Sequence, residues 1–376
     1  MLPCRSCARV AGIRRQNDPP CGAHPHLDIV RLFSSPASDP ALQCTGEGQR
    51  TTVIADFLYV AYMSDYYAGG NDDPLAEHLP IIYRYLKPCV GFDLDRQRAA
   101  GEASVGRSRF GGGPDVPTDF LWPRRRGEKL DFILQLDLAE VAEFDPHGLF
   151  PTSGVLSFFF DLTRAPGAAD ELNAKQIRVF HFLPGQLLRR QAPPHPEVAL
   201  EEAALVFWPA LTLPTEGAEF AELIAELDDG YLEWDTREET AYTDLCDDVF
   251  QQSSPHRRRY SNRLGGYAAL GHGDMQLEAE LASRGVSPRD YVARRRSARA
   301  AWTMRDDDVR AWTMLLQLDA ERDLHLAGIE ALHCWVPDAA LDQDSLSRAW
   351  ATVYGYDEKW TPEWWSSRPR VGSGPE

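Results

Sequence analysis

A chain of 376 residues with 39 basic against 57 acidic side chains carries a formal charge of −18, which disfavours a coat on nucleic acid or on an anionic membrane. Its 43% hydrophobic content, with ten Trp and sixteen Phe, is enough for a sizeable buried core and excludes a disordered or fibrous chain. Seven cysteines, four of them before position 50, do not make a disulfide framework, so a reducing cytoplasm is the expected compartment. The most apolar early stretch, Val53–Met63, contains Asp56 and falls short of the roughly 20 residues that span a bilayer.

Residues 1–62 show no sustained period of 2 or 3.6 and are rich in Pro, Cys, Arg and Ser, which reads as a disordered leader or an over-long start. One constellation stands out there. Cys4 and Cys7, then Cys21 and His24, are two short-spaced pairs of the kind that wrap a tetrahedral zinc; Pro19, Pro20 and a competing His26 weigh against it. No other cofactor is suggested. Met63 opens a stretch that reads as a natural start, and residues 63–376 are expected to form a single domain.

In that domain Leu75, His78, Leu79, Ile82 and Tyr83 fall at helical spacing after Asp72 and Asp73. Pro88 is the expected stop, with a polar segment following to Gly106. Arg109–Phe160 then sets out a unit. It has a turn at Gly111–Gly113 and Pro114, a loop anchored by Trp122, and a strand whose Phe132, Leu134, Leu136 and Leu138 alternate with Ile133, Gln135 and Asp137. A second strand, Val155–Asp161, follows Gly154, with Phe158–Phe160 buried on both sides. Gln176–Leu183 and Ala204–Trp208 are two more strands by β-branched and aromatic content, with Pro193–Pro196 as a loop between them. Thr215 is the expected cap of a helix carrying Phe220, Leu223, Ile224 and Leu227.

The acidic excess concentrates in this helical region: Glu219–Asp248 holds twelve carboxylates and one basic residue, Arg237, either a solvated face or a surface for a cationic partner. A fainter copy of the first unit follows, in Asn262–Tyr267, Trp312–Glu321 and Ala327–Asp338, and points to an internal duplication over about 86–210 and 255–356. Between its parts lie a helix at Met275–Ser283 ended by Gly285 and a second helix begun by Ser287 and Pro288, which carries Arg289, Arg294, Arg295, Arg296 and Arg299. Leu316 and Leu318 are expected on one face of the repeated strand, with Leu315, Gln317 and Asp319 on the other. A tail with Trp360, Trp364 and Trp365 is expected to pack on the body.

The familiar catalytic signatures are missing: there is no GxSxG, no GxxxxGK[ST], no GxGxxG between strand and helix, and no HExxH. Gly271-His272-Gly273-Asp274 reads as a polar turn. The duplication itself supplies the one candidate constellation. Arg109, Gln135 and Asp137 from one copy and Arg263, Gln317 and Asp319 from the other would line a polar cleft if the copies pack about a pseudo-twofold axis, and two arginines there suit a carboxylate or phosphate. The plainer alternative pairs Arg109 with Asp137 and Arg263 with Asp319 as ordinary architecture.

Ser108-Arg109-Phe110-Gly111-Gly112, Trp122-Pro123, Phe132 through Asp137, Gly154 through Phe159, Leu264-Gly265-Gly266-Tyr267 and Leu315 through Asp319 together resemble the YwqG-like family, bacterial proteins of unknown biochemical role. The resemblance implies an internally duplicated α+β fold, mainly antiparallel β-sheet with peripheral helices. By association with toxin–immunity systems it also implies a binding role. The chain departs from the family at Leu326–Glu330, where a Trp-Gly-Asp-x-Gly turn is expected, and at Gly271-His272-Gly273. The expectation is a non-catalytic cytoplasmic binding protein of toxin-immunity type, with an acidic surface for a basic protein partner. The alternative is a small-molecule anion binder or an enzyme using the cleft between the two repeats.

Overall fold

The computed structural model describes residues 74–96, 104–145, 148–162, 176–196, 199–215, 217–227, 236–251, 262–269, 275–286, 309–325, 330–337 and 341–354. Outside them lie the leader with its Cys4/Cys7/Cys21/His24 quartet, the Gly271–Asp274 turn, the arginine-rich stretch after Ser287, Leu326–Ile329 and the tryptophans of the tail.

The described chain enters through a turn into α1 (Leu79–Ile82) and a single 3-10 turn, Tyr83–Tyr85. The apolar residues at helical spacing do meet: Leu75, Leu79, Ile82 and Tyr83 are buried together with Leu211, Leu223 and Leu245. Pro88, however, is not the stop of that helix. It is the second residue of β1 (Lys87–Asp95), near the strand start, where a missing N–H costs least. The expected polar segment is thereby corrected. Val90 and Phe92 of β1 enter the main core while Cys89 packs with Trp208 and Phe250 in a separate cluster, the alternation a strand requires.

β2 (Arg109–Phe110) passes through the glycine turn into β3 (Asp115–Pro117), and β4 (Arg124–Arg125) with β5 (Glu128–Lys129) makes a small hairpin. Then come β6 (Asp131–Asp137), α2 (Leu138–Ala142), β7 (Val155–Phe160), β8 (Ile177–Phe182) and β9 (Leu188–Arg190), the last paired with β3. A four-stranded antiparallel sheet of order β2-β6-β7-β8 results. Phe158 and Phe160 point into the main core and Phe159 into an aromatic cluster with Phe132, Phe120 and Trp122, so β7 is covered on both faces. Trp122 is fixed as an anchor by its indole N–H, which donates to the carbonyl of Leu130 at 2.7 Å.

The rest of the chain runs β10 (Ala204–Thr212), α3 (Gly217–Leu227), α4 (Thr236–Gln251), β11 (Asn262–Gly265), α5 (Met275–Ser283), β12 (Trp312–Asp319), α6 (Ala320–Leu324), β13 (Ala331–Pro337), α7 (Gln343–Ser347) and β14 (Trp350–Tyr354). With β1 these strands form a six-stranded antiparallel sheet of order β10-β1-β11-β12-β13-β14. β10 continues past Trp208 through Pro209 because it is an edge strand, where a proline removes no ladder bond from the sheet interior. Thr215 lies ahead of α3, and its hydroxyl donates to the carbonyl of Ala268 at 3.1 Å, tying that end of the helix to the turn after β11.

One apolar cluster draws residues from both sheets, among them Val90, Phe110, Leu134, Leu136, Leu156, Leu264, Leu316, Leu318 and Leu332. The two sheets touch through a bridge between Phe110 and Ala203 as well. The chain is thus mixed α+β with mainly antiparallel sheet. Strict alternation fails at one place in each sheet: the register shifts at Ile133 of β6 and at Leu315 of β12. A bulge inserts one residue, so Ile133 joins Leu134 and Leu136 in the core while Phe132 turns to the other side. Leu315 likewise joins Leu316 and Leu318, not Gln317 and Asp319.

Candidate functional site

The six residues singled out from the sequence fall into two trios. Arg109 of β2 lies opposite Gln135 of β6, and Arg263 of β11 lies opposite Gln317 of β12. Alternation with Leu134 and Leu136, and with Leu316 and Leu318, turns both Arg–Gln pairs away from the shared core. Asp137 and Asp319 are each the N-cap of the short helix that follows, accepting from Ala139 N at 3.1 Å and from Arg322 N at 3.0 Å. Their ionic partners are Arg107 at 3.2 Å and Arg322 at 3.5 Å. The pairing of Arg109 with Asp137 is therefore corrected: capping turns that carboxylate to the start of α2.

The counter-ion of Arg109 is Asp115, at 2.7 Å, with both side chains fully buried. Arg109 Nη2 also donates to Gln135 Oε1 at 3.1 Å, and its Nε donates to the carbonyl of Gly113 at 3.1 Å. Gln135 Oε1 accepts from Asp115 N at 2.8 Å, while its Nε2 donates to Arg107 O and to Asp115 Oδ2. Burial alone would push the Asp115 carboxyl up, but the hydrogen bonds from Arg109 and Gly106 N, with the Arg109 charge, outweigh it and hold the group below its usual range.

The second trio repeats this scaffold with one part missing. Gln317 Oε1 accepts from Ala269 N at 2.9 Å, the amide six residues after Arg263, as Asp115 is six after Arg109. Arg263 Nη1 donates at 3.3 Å to the carbonyl of Tyr267, four residues on, as Arg109 does to Gly113. Asp137 N and Asp319 N donate at 2.8 Å to Ser108 Oγ and Asn262 Oδ1, the residues preceding each arginine. Both turns use two glycines with positive φ: 61° and 66° at Gly111 and Gly112, 69° and 74° at Gly265 and Gly266. Ala269, however, carries no carboxylate.

Arg263 is only 4% exposed and has no ion pair; its guanidinium carbon stacks 3.8 Å from the centre of the Phe250 ring, and its Nε has no hydrogen-bond partner. Burial lowers its pKa, against the opposing influence of Cys89, Asp247 and Cys246. Those two thiols are pushed up to about 12 by burial, so at neutral pH neither is a nucleophile.

Register extends the second site across the whole sheet. Trp208, Gly91, Arg263, Gln317, His333 and Thr352 stand side by side on β10, β1, β11, β12, β13 and β14. In the first sheet the corresponding row is Arg109, Gln135, Ser157 and Phe180. Sequence reasoning missed Asp115, Trp208 and Phe250. A signal for Asp115 existed, since aligning the stretches around Arg109 and Arg263 on their arginines sets Asp115 against Ala269. Trp208 has no counterpart among the matching segments and Phe250 lies between the two stretches, so neither had one.

Among the described residues no group of three or more His, Cys, Asp or Glu side chains is placed to hold a metal ion, and no helix is long and apolar enough to cross a membrane. Fold and site thus define a mixed α+β protein in which each of two sheets carries a buried Arg–Gln pair beside a double-glycine turn. Residues 108–354, well over half of the chain, match the family model described as a domain of unknown function, DUF1963, and the protein belongs to that family. No curated protein matches it. The matched segment begins one residue before Arg109 and ends with β14, leaving β1 ahead of it.

Proposed function

We propose that this chain is a non-catalytic cytoplasmic binding protein of the YwqG-like type, built from two copies of one unit, whose acidic helical layer receives a basic protein partner as an immunity protein receives a toxin. The observation that carries the reading is α4. Its apolar side, Tyr242, Leu245 and Val249, is buried against Leu211 of β10 and Leu223 of α3. Its opposite side leaves Glu239, Thr240, Thr243 and Asp244 exposed. With Glu238, Asp247 and Asp248 the helix holds five carboxylates against the single Arg237. On α3, Glu222 and Glu226 extend the acidic surface, each steadied by an arginine from elsewhere, Arg310 and Arg84. A patch with an excess of one sign on a helix steers an oppositely charged partner and fixes its orientation.

The two-copy reading is supported by the shared strand order, the matching bulges and the equal spacing of hydrogen bonds around each arginine. The test of function is capture from the native cell at low salt, comparing the wild type with an E238K/E239K/D244K variant. A basic protein retained by the wild type, released by salt and lost from the variant is the expected result. Retrieval of no protein by the wild type at low salt, where charge attraction is strongest, would overturn the reading. A second reading, binding of a small anion, is favoured by one observation, the buried Arg263 without a counter-ion.

A further inference from the structure

Three strands meet at one position of the six-stranded sheet: Trp208 of β10 and Arg263 of β11 both pair with Gly91 of the intervening β1. Partners across antiparallel strands share a face, so the indole and the guanidinium flank a strand that has no side chain between them. The indole fills that gap. A Cβ built on Gly91 would lie 2.3 Å from Trp208 Cε2 and 2.4 Å from its Nε1, so the ring lies over the backbone of β1. Its N–H is thereby brought to within about one strand spacing, ~4.8 Å, of β11. Phe250 of α4 covers both groups, stacked on Arg263 at 3.8 Å and 6.3 Å from Trp208 between ring centres.

Trp208 and Arg263 are each 4% exposed, and Trp208 Nε1 and Arg263 Nε are both buried without a hydrogen-bond partner. Two buried N–H donors, one on a cation, are thus left unpaired on one face of the sheet, an arrangement that native interiors avoid. The first sheet shows what such an arginine takes: the matching Arg109 is neutralised by the carboxylate of Asp115, where the second sheet has Ala269. The remaining neighbours do not supply it. Cys89 and Cys246 are protonated thiols, and Asp247 reaches Arg263 by its charge.

We infer that Arg263 and Trp208 form a subsite for a single carboxylate group of a ligand, walled by Phe250 and by the indole ring that lies over Gly91. The inference rests on the anion-binding reading and is independent of the acidic face of α4. The ligand's carboxylate does from outside what Asp115 does within the chain. Arg263 supplies the charge and one N–H, Trp208 supplies the second N–H, and together they distinguish an oxyanion from chloride by its spaced acceptor oxygens.

The experiment is thermal unfolding of the full chain in acetate, inorganic phosphate and chloride at equal ionic strength. It compares the wild type with Trp208→Phe, which keeps the ring and removes the N–H, and with Ala269→Asp, which supplies a carboxylate within the chain. The expected result is a wild-type melting temperature that rises with acetate concentration and not with chloride. Trp208→Phe needs about ten-fold more acetate for the same rise. Ala269→Asp melts higher than the wild type in chloride and gains nothing from acetate. Phosphate separates the ligand classes: a rise with phosphate that both variants abolish, in the absence of one with acetate, reassigns the subsite to phosphate and overturns the carboxylate assignment. A phosphate effect equal in all three proteins is general exclusion from the surface, and without an acetate response beside it overturns the subsite. An acetate response of the same size in all three proteins overturns this subsite while leaving anion binding elsewhere standing, and no acetate or phosphate response in any of them overturns both.

Discussion

Arg109 and Arg263 stand at matching positions on two sheets, each opposite a glutamine, each followed by a double-glycine turn, each donating to the carbonyl four residues on. One differs from the other by a carboxylate six residues downstream, Asp115 against Ala269. With it, the arginine is a fully buried strut whose charge is cancelled by Asp115 within a hydrogen-bond network that leaves its Nη1 without a partner. Without it, the same scaffold holds a buried cation by an aromatic face and one long hydrogen bond. A buried ion pair is weak evidence for stability, yet removing one partner of it is costly, because the charge left behind has neither water nor a counter-ion. The first arginine belongs to architecture, and the second is where a ligand has something to offer.

The largest effect should come from removing what only the second sheet needs. A chain beginning at Ser108, where the family match starts, keeps every strand of the first sheet but loses β1 from between β10 and β11. It should show no cooperative unfolding transition by circular dichroism, and a normal transition would mean that β10 and β11 can close on each other. Next in size, Asp115→Ala should cost about 3–5 kcal/mol in urea unfolding, because it strands the Arg109 charge. Arg263→Met should stay within about 1 kcal/mol of the wild type, since it removes a charge that is already unpaired. Equal losses from both would erase the distinction between the sites.

The glycine turns give a finer contrast. Alanine at Gly111 or Gly265 meets the same positive φ, worth about 1–2 kcal/mol. At Gly111 the new Cβ would also lie 2.4 Å from the Glu201 carbonyl oxygen, whereas at Gly265 its nearest contact is Leu149 Cδ1 at 3.2 Å. Gly111→Ala should therefore lose about 1–3 kcal/mol more than Gly265→Ala, from a clash that a rigid backbone cannot relieve.

The smallest signal is in acid. The folded pKa of Asp115 is held below its unfolded value, so its stabilisation is fully present above the unfolded value, about pH 4, and is lost as pH falls through the folded one. Urea midpoints of Asp115→Asn should fall less steeply below about pH 4 than those of the wild type, and those of Arg263→Met should follow the wild type. A parallel fall in all three proteins would assign the acid sensitivity to other carboxylates.

Much of this could be read from the residues alone. The strands around Phe132–Asp137 and Leu315–Asp319, the helix Met275–Ser283 and the Arg–Gln positions all follow from periodicity and from comparing the two similar stretches of sequence. What was hidden was hidden for physical reasons. β1 was obscured by Pro88, which reads as a helix stop until its place at the start of a strand is known. The bulges at Ile133 and Leu315 leave no mark in an apolar run, because the extra residue is as apolar as its neighbours. Asp137 looked like a partner for Arg109 because spacing puts them on one face, but spacing does not foretell that a helix begins at the next residue and takes the carboxylate as its cap. Trp208 and Phe250 reach Arg263 only through tertiary packing.

The place of β1 in the sheet has a consequence for the order in which the molecule assembles. β6, β7 and β8 are successive in the chain and pair with their sequence neighbours, whereas β1 must wait for β10 and then β11, with the whole first sheet and the helices α2, α3 and α4 in between. Closing such long loops loses chain entropy before any contact repays it, so pairings of this kind form late and slowly. The Arg109 network should therefore be protected early in a pulse-labelled hydrogen-exchange experiment, and the amides of β1 last. Early protection of β1 would place the nucleus in the larger sheet instead. On this kinetic view Arg263 and Trp208 come together only when the central strand between them is seated, and their site is among the last parts of the protein to exist.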